Sequence, residues 1–339
     1  MDFFRRGEKE DFKISDFKPR ELPLTKKIKC KEVKEGGGRW IFGLLLGSIL
    51  LSVGFFLWGR FAQGEGFDST PPDDLISISL TNPTSVPTPT PIIRKTDKVV
   101  SQIKEETQNL KGGFGVYVFN LTTKQTYGLS EDEVFMAASL IKLPVLLVLY
   151  QEAEAGRIDL DAKYVLKQAD KQGGAGSMQY KPAGTVYTYR KMAELMGQQS
   201  DNTAFMVTRN LLGDEKIQTA INKLGMAKTS LRTNETSPSD IGLFFRKLYG
   251  GSLLTREHRD ELLNFLTKTA FEDRIPAGLP ADVRVAHKIG SEIGVYSDGG
   301  IVFAPKPFVL VILSKGIIER EAKLALPQTT KTVWEFETE

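Results

Sequence analysis

A serine and a lysine three residues apart, Ser139 and Lys142 in Ala-Ala-Ser-Leu-Ile-Lys-Leu-Pro, stand at the head of an apolar run from Leu140 to Tyr150. The run reads as a buried helix. Positions i and i+3 share a helix face, so the amine can reach the hydroxyl. Free backbone N–H groups and the positive end of the dipole at a helix start favour developing negative charge. A serine there, beside a desolvated lysine, has the setting of an activated nucleophile. The pair also fits a plainer reading, with Ser139 as an N-cap and Lys142 as an apolar stem whose charge stays in water.

Two later segments bear on that choice. Ser200-Asp201-Asn202 follows an amphipathic stretch, Tyr189 to Gln199, and Lys288-Ile289-Gly290 falls in a β-rich one. Taken singly, the first triplet suits a helix cap or an Asx turn, and Lys288 suits a solvated strand lysine. Together they make the ordered set S-x-x-K, S-D-N, K-x-G of class A β-lactamases and penicillin-binding proteins. From about residue 97 to 339 the chain resembles the penicillin-recognising serine enzymes, most closely the class A β-lactamase-like group.

The resemblance implies a role for each motif residue. Ser139 would attack a carbonyl carbon and form an acyl-enzyme. Lys142 would take the serine proton, its pKa lowered by burial among Leu140 and Leu143 and by a nearby Lys288. Ser200 would relay a proton to the leaving nitrogen, and Asn202 would hold Lys142 and the substrate amide. Lys288 would attract the substrate's carboxylate, with Gly290 and Ser291 lining the substrate site. The N–H groups of Ser139 and Ser291 would form an oxyanion hole, such donors being worth about 3 kcal/mol each. The implied substrate is a β-lactam or a peptidoglycan stem peptide, with no cofactor.

The chain departs from the family pattern twice. Ile289 stands where a threonine or serine hydroxyl usually helps bind the carboxylate, a hydrogen bond worth about 1.5–3 kcal/mol. The E-x-x-L-N run that supplies a deacylating glutamate is missing, and the segment through Arg232-Thr233-Asn234-Glu235-Thr236 looks like an Ω loop shortened to its end. Glu235 is the one carboxylate there, a candidate deacylation base or a solvated loop glutamate. Without such a base the enzyme would acylate and release product slowly, as a D,D-carboxypeptidase or transpeptidase. A non-catalytic sensor domain is the reading from another class.

Positioning these residues requires a mixed domain. Asp97 to Leu110 reads as an amphipathic helix, and Gly113 to Asn120 with Thr126-Tyr127-Gly128 reads as a hairpin. The nucleophile helix ends at Gly156. From Asp159 to about Pro280 the pattern is mainly helical. Strand signals return at Val283–Ile289, Tyr296–Phe303 and Phe308–Ser314, followed by a helix over Glu319–Phe336 interrupted at Pro327. Strands at both ends with helices between imply an α+β class, an antiparallel sheet of about five strands packed with helices plus a mostly helical lobe. The topology itself comes from the resemblance.

Composition narrows the chemistry further. The chain carries a formal charge of +3, and residues 1–39 hold twelve Lys or Arg against eight Asp or Glu. The basic balance therefore belongs to the N-terminal tail and does not mark a nucleic-acid face. Trp40 to Gly59 is a twenty-residue uncharged stretch bracketed by Arg39 and Arg60, long enough to span a bilayer. The basic tail puts the N-terminus in the cytoplasm and the remainder outside. Residues 60–96, with Pro83, Pro87, Pro89 and Pro91, read as an extended linker, leaving 97–339 as the hydrolase domain. Cys30 is the only cysteine, and His258 and His287 the only histidines. This disfavours both a zinc site and a Ser-His-Asp triad, so lysine has to serve as the base.

Overall fold

The computed structural model describes residues 95–339. The expected tail, membrane span at 40–59 and nearly all of the linker lie outside the described residues. Among the described residues no helix is long and apolar enough to cross a membrane.

Helix α1 spans Lys95–Thr107, two residues earlier at its start than the periodicity predicts. Strands β1 (Gly113–Asn120) and β2 (Thr126–Leu129) form the expected antiparallel hairpin. The Asn120 side chain accepts the N–H groups of Thr122 and Thr123 inside its turn, an arrangement asparagine favours. Strands β7 (Arg284–Glu292), β8 (Val295–Phe303) and β9 (Phe308–Lys315) follow one another near the C-terminus. β9 pairs with β1 along all eight of its residues, giving one five-stranded antiparallel sheet in the order β2-β1-β9-β8-β7. The expected strand number holds. β7 is an edge strand, and that edge borders the chemistry.

Alternation along the strands gives the sheet two apolar faces. Val116, Val118, Leu310 and Ile312 meet Val99 and Ile103 of α1 and Leu326 and Val333 of α8, Glu319–Thr338. Tyr117, Phe119, Val309, Val311 and Leu313 join the larger core on the other side. α8 runs unbroken through Pro327, against the expected interruption. Its apolar side is buried before and after the proline, at Ala322, Leu326 and Val333, and tertiary packing of that kind outweighs one lost backbone bond.

The larger core contains α2, Lys142–Glu154, in which ten of thirteen residues are buried. A helix apolar on all sides belongs in an interior, and Pro144 is only its third residue, where a missing N–H costs little. Around it lie α3 (Tyr189–Gln198), α4 (Asn202–Leu212), α5 (Asp214–Leu224), α6 (Pro238–Tyr249) and α7 (Arg256–Phe265). Side-chain caps set the starts of α3, α4, α6 and α7: Thr188, Asp201, Ser237 and Thr255 accept the N–H groups of Lys191, Ala204, Asp240 and His258. Two small ribbons are not legible in the helical pattern. β4 (Lys163–Val165) pairs with β5 (Val186–Thr188), and β3 (Phe135–Met136) with β6 (Glu235–Thr236). Strands of two or three residues leave no periodicity to read.

Candidate active site

Ser139 sits in a short 3₁₀ turn, Ala138–Ile141, that leads directly into α2. It is not a helix cap: the turn has no side-chain capping bond. The preceding Ala138 has φ +46°, left-handed backbone that a residue with a Cβ adopts only under constraint. The constraint is visible on both sides. Ala137 N–H donates to Asn234 O at 2.8 Å, and Leu140 N–H to Ala137 O at 3.0 Å.

Lys142 opens α2 and is 2% exposed. Its Nζ donates to Ser139 Oγ at 3.0 Å, Asn202 Oδ1 at 2.7 Å, Ser200 Oγ at 3.1 Å and Ser200 O at 2.5 Å. Burial pushes the amine down to about 7, opposed by the Asp201 carboxylate. A lysine that is partly neutral at physiological pH and bonded to a serine hydroxyl can accept that serine's proton.

The Ser-Asp-Asn triplet divides its work. Asp201 is the N-cap of α4: Oδ1 accepts Ala204 N–H, and Oδ2 accepts Met178 N–H. Capping is therefore real, but it falls to the central residue alone. Ser200 precedes it with φ +55° and is buried. Asn202, at the first helical position, splits its amide between Lys142 and Gly173 O, the latter at 2.8 Å. The cap thus turns the two flanking side chains toward one amine.

Lys288, expected on one reading to be a solvated lysine, is 1% exposed. Burial, then the nearby Lys142, hold its pKa well below the usual lysine value, with Asp298 opposing. Gly290 is required by space. A Cβ there would lie 2.8 Å from Ala137 O, so glycine lets β7 approach the turn that carries Ser139. The His287 N–H leaves the ladder and donates to Leu266 O at 2.8 Å. Alternation along an antiparallel edge turns the N–H of Ser291, four residues on, outward in the same sense.

Arg274 was not legible in the sequence. Its guanidinium is 3% exposed and lies 3.8 Å from the Tyr296 ring centroid. Nη1 donates to Gly290 O at 3.0 Å and Ser297 O at 2.6 Å, and Nη2 to Ser291 Oγ at 2.5 Å. It belongs to the loop before β7, far from any motif, and no spacing rule points to it. Its charge is held at Gly290 and Ser291, the two residues that follow Ile289, the position that lacks the family's hydroxyl.

Neither histidine serves Ser139. His287 is fully buried, with Nδ1 on the Asp298 carboxylate at 2.9 Å and Nε2 near Thr269 and Glu272. Burial alone would lower its pKa, but Asp298 and Glu272 outweigh burial and push it up to about 9. His258 bonds to Glu154. Glu235 is not brought to the cleft. It is exposed on β6 and accepts the Thr233 hydroxyl at 2.6 Å. Asn234, its neighbour, does line the cleft, with φ +55° and a buried Oδ1 that has no partner.

These groups surround a cleft of about 390 Å³, whose lining includes Ser139, Lys142, Ser200, Asn202, Ile289 and Ser291. No group of side chains among the described residues could hold a metal ion. A hydroxyl, a buried amine, a second hydroxyl and an outward N–H around one cleft can carry out acyl transfer without a histidine.

Residues 98–336 match the β-lactamase enzyme family. The chain is similar to the β-lactamase VEB-1 of Pseudomonas aeruginosa, 22% identical over 242 residues, which is 66% of this chain and 80% of that protein. A β-lactamase of Streptomyces fradiae is 26% identical over 225 residues, 58% of this chain and 72% of that protein. The solved structure of PBP-A is 28% identical with a TM-score of 0.67, covering 70% of this chain and 95% of that one. An ancestral class A β-lactamase, 22% identical with a TM-score of 0.67 over 70% of this chain and 99% of that one, shares the fold. The chain belongs to the β-lactamase enzyme family of serine penicillin-recognising proteins.

Proposed function

We propose that this chain is a membrane-anchored, extracytoplasmic serine hydrolase, acylated at Ser139 by β-lactams and related cell-wall amides, and slow to deacylate. The observation that carries the reading is the Lys142 amine, 3.0 Å from Ser139 Oγ and titrating near 7. As the Oγ–H proton passes to Nζ, Oγ bonds to the substrate carbonyl carbon. The resulting oxyanion faces the N–H groups of Ser139 and Ser291. Ser200 Oγ, 3.1 Å from Nζ, hands the proton to the leaving nitrogen as the C–N bond breaks. An ester on Ser139 remains.

Lys288 and Arg274 make one end of the cleft attractive to a carboxylate, and Ile289 makes that recognition depend on charge more than on hydrogen bonding. Hydrolysing the ester then needs a base for water. Glu235 faces solvent, so the reading favours a penicillin-binding, D,D-peptidase-like enzyme over a fast β-lactamase. A solved mutant of PBP-A is described as an acyl-enzyme complex with penicillin G, which is chemistry of the proposed kind in a relative. Anchoring rests on Trp40–Gly59 and the basic residues before it.

The test is intact-mass spectrometry of the full chain in detergent with benzylpenicillin, beside Ser139→Ala. A persistent adduct on the wild type alone supports the proposal. Consumption of the antibiotic without an adduct would make it a true β-lactamase. Neither adduct nor consumption would sink the acyl-enzyme reading and leave a sensor.

A further inference from the structure

We infer that Glu292 selects substrates whose acyl portion carries a positive charge. The inference rests on the acyl-enzyme reading above and names the substrate class for that site. Glu292 is the last residue of β7 and the one carboxylate among the residues lining the cleft. It is exposed and takes a single hydrogen bond, from the adjacent Ile293 N–H at 3.0 Å. No Lys, Arg or His among the described residues pairs with it. A carboxylate left without a cation at the mouth of a site is free to bind one from outside.

The direction of the substrate follows from its own chemistry. In a penicillin or a peptide ending in a free carboxylate, that carboxylate is on the amine side of the scissile bond, the leaving-group side. Lys288 draws it to one end of the β7 edge. The scissile carbonyl meets the N–H of Ser291, three residues further on. The acyl side must then continue in the same direction, past Glu292. Strand residues rise about 3.3 Å each, so Lys288 and Glu292 stand about 13 Å apart along the edge. The cleft is therefore bipolar, cationic toward the leaving group and anionic toward the acyl group. A stem peptide whose diamino acid presents a free ammonium matches that polarity, whereas an acyl group with a second carboxylate opposes it.

The experiment compares second-order acylation rates of the full chain in detergent, followed by intact mass. Three penicillins differ on the acyl side: benzylpenicillin is neutral, ampicillin carries an amine, and carbenicillin carries a carboxylate. Working at a pH where the ampicillin amine is protonated, the readout is the ampicillin-to-carbenicillin ratio and its change on substitution. Glu292→Gln should lower that ratio by about fivefold, the size of one exposed ion pair, and Glu292→Lys should lower it further. High salt should compress the wild-type ratio toward that of Glu292→Gln, because exposed charges are screened. Adducts whose relative rates ignore both substitutions would overturn this inference alone. Neither adduct nor consumption of any of the three would overturn the acyl-enzyme reading and this inference with it.

Discussion

Exchanging Asn202 for aspartate should shift the pH at which Ser139 becomes reactive. Asn202 Oδ1 lies 2.7 Å from Lys142 Nζ, so Asn202→Asp puts a carboxylate oxygen against an amine that now titrates near 7. At an effective dielectric of about 20 the bare attraction at that distance is about 6 kcal/mol. The carboxylate's own loss of solvent offsets much of it, and neighbouring opposite charges typically shift a pKa by about one to three units. A shift of about two units would cut the free-base fraction at pH 7 from roughly one half to roughly 1%, a fall of about fiftyfold in acylation rate. The substitution also loses the donor to Gly173 O, 2.8 Å away, which lowers the rate at every pH. The position of the curve, not its height, is therefore the informative quantity. Stopped-flow or intact-mass acylation with benzylpenicillin between pH 5 and 10 would place the wild-type midpoint near the Lys142 value and the variant's well above it. A midpoint that stays put would mean that Lys142 is not the proton acceptor.

Three other outcomes are expected. Ser139→Ala should abolish acylation and leave the melting temperature level or slightly higher, because its hydroxyl caps nothing and active-site groups tend to cost stability; a clear drop on differential scanning calorimetry would contradict this. Gly290→Ala drives a Cβ to 2.8 Å from the Ala137 carbonyl, so it should destabilise by about 1–3 kcal/mol and slow acylation more than tenfold, read by denaturant melts and adduct formation. The buried His287–Asp298 pair raises the histidine's folded pKa to about 9, so its contribution is full below the unfolded value near 6.5 and is lost as pH rises through 9. The lowered Lys142 and Lys288 act in the opposite sense over part of that range. The clean measurement is therefore the stability gap between wild type and His287→Gln, which should shrink from pH 6.5 to 9.5, and a constant gap would refute the ion-pair assignment.

How much of this was written in the sequence differs by residue. The apolar run after Ser139 identified α2 because ten of its thirteen residues are enclosed, and enclosure on all sides selects mainly apolar side chains. The sheet was legible for the same reason, through the runs that became β1, β7, β8 and β9. Pro327 misled because a local rule was applied where α8 is held along both halves by the sheet. Glu235 drew notice as the only carboxylate of its segment, yet pairing of β6 with β3 turns it to solvent and leaves Asn234 facing the cleft. Arg274 gave no signal at all. Its partners are backbone carbonyls and a serine hydroxyl brought near by tertiary folding, and such partners have no fixed spacing.

Lys142 lines the cleft, and Lys288, nearly buried like Lys142 and Arg274, feels the charge of both. Burial opposes ionisation of an amine, and a neighbouring positive charge opposes it further. Burial lowers both lysines, Lys142 to about 7 and Lys288 well below the ordinary lysine value, and the charges of Lys142 and Arg274 push Lys288 further the same way. The burial that would suit Lys142 to act as a base would also leave Lys288 an incomplete anion site. A substrate carboxylate arriving beside Lys288 would favour its ammonium form, taking up a proton on binding. On the proposed function, reaction chemistry and recognition would thus be coupled through one electrostatic arrangement. With Ile289 in place of the family's hydroxyl, charge would be the main means of holding a substrate's anionic end, and the coupling would be stronger.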